Sequence, residues 1–283
     1  MMANKRTMYL FKWMKYAVGC CGIAVLLISS ACSESTENSD LQPGTESSLE
    51  TQNDHQAQEG RETLFDGETL NGWRGLGRDG IPQGHWIVED GTIRKVALSD
   101  VARAEDGQPI AGGDLLYDRQ FTNFELSFEW KVATGANSGI KYNVSEEMSV
   151  SHSPRHAALG FEYQVLDDDA HPDAANDPNR WAAGLYDLIP PSADARLNPV
   201  GEWNTGLIVF NGNRGEHWLN GRKVLEYELG TLMMDRLLAT SKWGELGDDI
   251  HIPGFGDRRS SGYIVLQDHG DDVWYRNIKI REL

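Results

Sequence analysis

The chain has 283 residues, with 43 acidic against 26 basic, and a formal net charge of −17. Such a surface makes nucleic acid and anionic membranes poor partners, because both are bound by Lys and Arg clusters. Cys20, Cys21 and Cys32 all precede the first strand pattern, so the folded part contains no internal disulfide and rests on its core alone.

Lys5, Arg6, Lys12 and Lys15 form a basic start, followed by an uncharged run over 16–30 that includes Ile23-Ala-Val-Leu-Leu-Ile28. This is the layout of a secretory signal, short for a membrane-spanning helix. It ends Ser29-Ser30-Ala31-Cys32, which resembles a bacterial lipoprotein signal with Ser29 where a leucine is usual. An ordinary cleaved signal and an uncleaved anchor are the alternatives. The lipoprotein reading makes 1–31 the signal and Cys32 the lipidated first residue. The membrane is then touched through that lipid only, and the protein sits in the cell envelope. Removing the leader takes four basic and no acidic residues, which moves the net charge from −17 to −21. Residues 33–60 hold seven acidic side chains and no Lys or Arg, a tether too polar to offset the entropy of ordering.

Residues 61–283 have the size of one β-sandwich domain. Asp90-Gly91 marks a tight turn between Trp86-Ile-Val-Glu89 and Thr92-Ile93. Over 124–132 the alternation is faultless: Phe124, Leu126, Phe128, Trp130 and Val132 on one face, Glu125, Ser127, Glu129 and Lys131 on the other. Strands are also predicted over 139–144, 160–167, 203–210, 263–267 and 273–280. Asn220-Gly221 predicts a type I′ hairpin after His217-Trp-Leu. One short helix is predicted over 232–243. Long connections at 101–113, 168–183 and 244–261 are the places for function or mobility. The pattern predicts an all-β jelly-roll sandwich with one short helix and long loops.

The strand over 160–167 has two unlike faces. Phe161, Tyr163 and Val165 point one way; Glu162 and Gln164 point the other, with Leu166 behind them. Asp167, Asp168, Asp169 and His171 crowd its end, where they suit sugar hydroxyls, a hard divalent cation held by Asp167, Asp168 and His171, or a plain acidic turn. Lys141 and Asn143 share a face opposite Ile140, Tyr142 and Val144. Gln267 and His269 share a face before Gly270, and His269 titrates near neutrality. Arg276 falls on the side of Trp274, Ile278 and Ile280, where it needs a carboxylate partner or a ligand. His217 reads as structural. No phosphate-binding glycine loop, nucleophile elbow, zinc-binding helix or cysteine metal cluster is present.

Several blocks occur together: Leu64-Phe-Asp-Gly-Glu-Thr-Leu-Asn-Gly-Trp73, Phe124-Glu-Leu-Ser-Phe-Glu-Trp-Lys131, Asn137-Ser-Gly-Ile-Lys-Tyr142, Glu162-Tyr-Gln-Val-Leu-Asp-Asp168, Gly184-Leu-Tyr-Asp-Leu-Ile-Pro190, Gly201-Glu-Trp-Asn204, His217-Trp-Leu-Asn-Gly221, Leu266-Gln-Asp-His-Gly270 and Arg276-Asn-Ile-Lys-Ile280. Their order and content resemble the 3-keto-disaccharide hydrolase family, across essentially all of 63–283. The resemblance implies a concanavalin-like β-sandwich and a substrate oxidised at the glucose C3 hydroxyl. A C3 ketone acidifies the C2 proton. A base can then form an enolate, which expels the C1 substituent when an acid protonates the leaving oxygen; water adds afterwards. On this resemblance Glu162 is the base, His269 the acid, and Lys141 the group that polarises the ketone. Gln164, Asp167, His171, Gln267, Asn137 and Arg276 become substrate-binding residues. A non-catalytic carbohydrate-binding module of the same fold is the alternative, and a conventional retaining glycosidase with paired carboxylates a third.

Overall fold

The computed structural model describes residues 60–152, 157–247 and 251–283. The signal, Cys32 and the tether lie outside them. Among the described residues no helix is long and apolar enough to cross a membrane.

Among the described residues thirteen strands form two antiparallel sheets. The larger contains, in spatial order, β11 (Arg222–Glu228), β10 (Arg214–Leu219), β9 (Asn204–Asn211), β6 (Phe124–Val132), β13 (Val273–Glu282), β4 (Thr92–Lys95) and β3 (Trp86–Glu89), with β1 (Glu62–Thr63) also paired to β13. The smaller runs β2 (Trp73–Gly75), β5 (Leu115–Phe121), β12 (Gly262–Leu266), β7 (Asn137–Val144) and β8 (Phe161–Leu166). The core lies between them. Phe124, Leu126, Phe128, Trp130 and Val132 are all buried there, while their alternating neighbours are only half-buried. Full burial of each such side chain contributes about 2 kcal/mol. Phe128 meets Tyr163 of the opposite sheet edge-on at 5.1 Å, and Tyr163 donates to the Trp218 carbonyl at 3.1 Å.

Both predicted tight turns form with the positive φ values they require: 49° and 73° at Asp90-Gly91, and 49° and 77° at Asn220-Gly221. His217 is structural, as expected. It is fully buried, with Nε2 against the Tyr142 hydroxyl at 2.8 Å and Nδ1 against the Ala183 carbonyl at 3.1 Å.

Three departures from the predicted elements have physical causes. Strand β5 carries Leu115-Leu116 on both faces, so it shows no clean alternation. Leu115 joins the main core, and Leu116 joins a small cluster on the far side with Leu76, Val144, Ala158 and Val265. The 168–183 connection contains a short helix, Pro172–Asn176, capped by His171, and a 3₁₀ turn, Pro178–Arg180. A further helix, Glu146–His152, follows β7, and the predicted helix is Leu232–Thr240, capped by the Thr231 hydroxyl. Finally, β13 shifts register between Arg276 and Lys279, with Asn277 at φ 53°. One extra residue there reverses the facing of the strand. Tyr275, Ile278 and Ile280 point inward and Arg276 points out.

Candidate active site

The polar face of the smaller sheet is built by cross-strand register. Glu162 stands opposite Lys141, and Lys141 opposite Val265; the next row sets Gln164 opposite Gly139. Gln267 joins that row by donating its amide to the Gly139 carbonyl at 2.9 Å. Every residue of β7 and β8 is buried, because one sheet face covers the core while loops cover the edges of the other. Glu162 is only 4% exposed and Lys141 only 2%.

Gly139 explains where the Glu162 carboxylate can lie. A Cβ on that glycine would meet Glu162 Oε1 at 2.1 Å, so the side chain folds over the bare glycine backbone. Gln164, with its amide oriented to satisfy its neighbours, donates to Glu162 Oε1 at 3.2 Å and to the Ser138 carbonyl at 2.9 Å. The other carboxylate oxygen, Oε2, has no hydrogen-bond donor and lies 3.7 Å from Lys141 Nζ. Asn137 Oδ1 and Gln267 Oε1 are likewise buried without a partner. Buried acceptors are normally satisfied, and these three stand out as exceptions on one sheet face. Burial pushes the Glu162 carboxyl above its ordinary value, opposed by Lys141 and then Lys242.

At the end of this face, His269 and His171 meet edge-on at 5.6 Å. His269 Nδ1 lies 3.7 Å from Asp271 Oδ2, which also accepts the Asn137 amide at 3.0 Å. Asp271 beside it holds the His269 imidazole above its ordinary value, while burial and then the charge of His269 hold His171 below. His171 Nδ1 accepts the Asp173 amide at 3.1 Å, which leaves the neutral ring's proton on Nε2. The two imidazoles are thereby pushed toward different protonation states.

A second wall went unread in the sequence. Tyr186 donates its amide to the Glu162 carbonyl at 3.0 Å and its hydroxyl to Asp173 Oδ2 at 3.0 Å. Arg180 bridges Asp173 at 2.7 Å and Asp187 at 3.0 Å, and Asp187 Oδ2 accepts the Lys242 amide at 2.8 Å. This network carries Lys242 onto the Tyr186 ring, 4.4 Å from its centroid, with Nζ 3.3 Å from the Tyr186 hydroxyl. Burial pushes the Lys242 ammonium below its ordinary value and Glu162 pulls it back. Among the described residues Lys242 makes no ion pair. Nothing in the local pattern marked it, since it follows the helix Leu232–Thr240 in a loop.

The sequence profile of the 3-keto-alpha-glucoside-1,2-lyase-like domain matches residues 60–281. The chain belongs to this family. It is 42% identical over 232 residues to a protein of Bacteroides thetaiotaomicron named 3-keto-disaccharide hydrolase, covering 78% of each chain. A crystal structure of a candidate glycosyl hydrolase from Parabacteroides distasonis superposes with a TM-score of 0.65 at 27% identity, over 81% of this chain and 96% of that one. A second such structure from the same organism gives 0.53 at 26% identity, over 79% and 99%. Membership in this lyase-like family supports a carbohydrate-cleaving role on a concanavalin-like jelly-roll sandwich.

In this family member the fold gathers Glu162, Gln164, Lys141, Asn137, Gln267, His269 and His171 on one face, and separates others. Lys141 is not free to meet a ketone: its ammonium donates to the Ala158 carbonyl at 3.1 Å and lies between Asp114, at 4.0 Å, and Glu162. The oxygens of Asp167 accept the amides of Gly135, Asp169 and Ala170, so this carboxylate caps its own turn. Asp168 Oδ1 accepts the Ala182 amide at 2.7 Å. Both carboxylates hold the turn together. Arg276 lies on the outside of the larger sheet, paired with Glu129 at 2.7 Å and stacked 4.0 Å from Trp203, because the Asn277 bulge turns it outward. The donor set that does converge is His171, His269 and Asp271, within 4.8 Å of one another. In this set His171 Nδ1 already accepts the Asp173 amide, which leaves Nε2 as the ring nitrogen facing the cluster. An open cleft of about 860 Å³ lies farther along the same sheet, lined by Arg74, Arg78, Arg259 and Tyr263. It excludes Glu162; the cluster of Leu76, Leu116, Val144, Ala158 and Val265 is packed on the same face of the sheet.

Proposed function

We propose that the protein cleaves the glycosidic bond of 3-keto-glucosides or 3-keto-disaccharides by elimination and hydration. Glu162 takes the C2 proton; the C2–H electrons form an enolate onto the C3 oxygen. The enolate collapses to a C1–C2 double bond as the C1–O bond breaks, and His269 protonates the departing oxygen. Water then adds its hydroxyl to C1 and a proton to C2, which makes the overall reaction a hydrolysis. In this reading the Lys242 ammonium is the cation that holds the C3 oxygen, and the Tyr186 hydroxyl, which donates to Asp173 and accepts from Lys242, positions it. Asn137 and Gln267 accept sugar hydroxyls, and the neutral His171 donates to one.

The observation that carries this reading is Glu162 Oε2: a buried carboxylate oxygen with no donor, on a group whose proton affinity is raised by burial. A structural carboxylate in such a place would be saturated with hydrogen bonds. No step requires a metal. The mature protein is a Cys32-linked lipoprotein of the cell envelope in the same proposal, and loss of lipid labelling in Cys32→Ser checks that part.

The test uses the mature protein with 3-keto-trehalose and its unoxidised parent. Release of glucose from the ketone alone supports the reading. Binding of the ketone with no turnover makes the protein a carbohydrate-binding module. Turnover of the parent sugar points to an ordinary glycosidase.

A further inference from the structure

Behind Glu162 lies a second buried carboxylate that the reaction does not touch. Asp114 precedes β5 and is 2% exposed. Its Oδ2 accepts the Ala158 amide at 2.7 Å and its Oδ1 accepts the Asp268 amide at 2.8 Å. Lys141 is the cation common to both acids, 4.0 Å from Asp114 and 3.7 Å from Glu162. Two buried carboxylates therefore share one ammonium.

We propose that Asp114 is a positioning residue that holds Lys141 between two acids and thereby governs the protonation of Glu162. The inference rests on the reading of Glu162 as base. Each Asp114 oxygen is already hydrogen-bonded, whereas Glu162 Oε2 accepts nothing. When the trio takes up a proton, Glu162 is the acid that binds it and Asp114 stays ionised. The charge on Asp114 acts on Glu162 twice: by direct repulsion, and by drawing on the Lys141 charge. Burial raises both carboxyls, and Lys141 opposes that in each.

The other groups facing this trio are few. Lys242 and His269 face Glu162 from the loops beyond the helix Leu232–Thr240 and β12, and Tyr186 and Tyr275 lie within its field. Asp268 faces Asp114 and is itself neutralised by Lys95 at 3.0 Å. None of these cations bridges the two carboxylates; among the described residues only Lys141 does.

The experiment reads the Glu162 carboxyl directly in substrate-free protein, as a ¹³C resonance of labelled glutamate identified by its absence in Glu162→Gln. Asp114→Asn removes the competing charge, so the titration midpoint should fall by about one pH unit. Lys141→Met removes the shared cation, so the midpoint should rise by about one unit. Opposite shifts are the signature, since a merely structural lesion would move both variants alike. No fall in Asp114→Asn, or no rise in Lys141→Met, overturns the proposal. The asparagine strands one of two backbone amides and is the riskier fold; if it does not fold, the Asp114 carboxyl resonance of the parent protein decides, since it should stay ionised while Glu162 titrates, and uptake of the proton by Asp114 in place of Glu162 overturns the proposal. The acidic limb of kcat/KM for the ketone substrate should follow the carboxyl midpoint in each variant. If the carboxyl shifts and the limb does not, Glu162 is not the base, and the coupling to Asp114 still stands.

Discussion

Glu162 reaches its position only because residue 139 is glycine: a methyl group there would stand 2.1 Å from Glu162 Oε1 and 2.8 Å from its carboxyl carbon. Gly139 has no left-handed φ to protect, so alanine costs little in backbone strain. Gly139→Ala should therefore displace the carboxylate without unfolding the sheet. A displacement of about 1 Å costs on the order of 100-fold in rate. Steady-state kinetics should show that loss in kcat, with a melting temperature within a few degrees of the parent.

Glu162→Gln should lower kcat by about 10²- to 10⁴-fold, the usual contribution of a general base. It should also change stability with a defined sign. The folded-state value of this carboxyl is raised, so its favourable contribution is present below the unfolded value of 4.5 and is lost as pH rises through the folded one. The glutamine variant, compared with the parent, should gain stability between pH 4 and pH 8. Urea unfolding at both values checks this, and a constant difference would sink the burial argument.

His269 has to be protonated to act as acid, and Asp271 holds its titration above the ordinary imidazole value. Activity should fall as pH rises through that point. Asp271→Asn should move the basic limb of the kcat profile to lower pH. His269→Gln should cost more with an alkyl aglycone than with a nitrophenyl one, because the better leaving group needs less protonation.

Chelation separates the two readings of the His171, His269 and Asp271 cluster. The Asp167 and Asp168 carboxylates are held by backbone amides, and His171 Nδ1 accepts the Asp173 amide. Dialysis against EDTA should leave kcat/KM unchanged, and added Mn²⁺ or Zn²⁺ should not raise it. Restoration of a lost rate by one cation would install a metal in the mechanism.

His217 sets an acid limit on the fold. Burial depresses its value from 6.5 to about 3. The stability tied to its neutral ring is complete above pH 6.5 and is lost as pH falls toward 3, to a limit of ~5 kcal/mol. His217→Gln should flatten the fall in stability between pH 7 and pH 4, measured by urea unfolding, while destabilising the protein at pH 7 through the loss of the Tyr142 contact.

Local pattern was enough for several parts of the molecule. The alternation of Phe124 to Val132 and of Phe161 to Val165 fixed which side chains enter the core, since a strand has only two faces. Asn220-Gly221 and Asp90-Gly91 fixed two hairpins through the φ values they tolerate. Placing Glu162 with Gln164, and Gln267 with His269, followed from the same period of two. Arg276 was misplaced because a single-residue bulge at Asn277 reverses parity, and nothing in a spacing of two announces it. Val144 changes face in the same way, after Asn143 at φ 54°.

The sequence by itself determined a β-sandwich, its apolar interior, an acidic surface and a polar strand face bearing Glu162. These are consequences of short-range periodicity and composition. Only the tertiary structure decided what Glu162 faces. Lys141 is drawn away by Asp114 and Ala158, Asp167 is spent on its own turn, and Lys242 with Tyr186 arrive from loops distant in sequence. A side chain's chemistry depends on which charges and donors lie within a few ångströms, and that is set by cross-strand register and loop closure, over separations that no local pattern encodes.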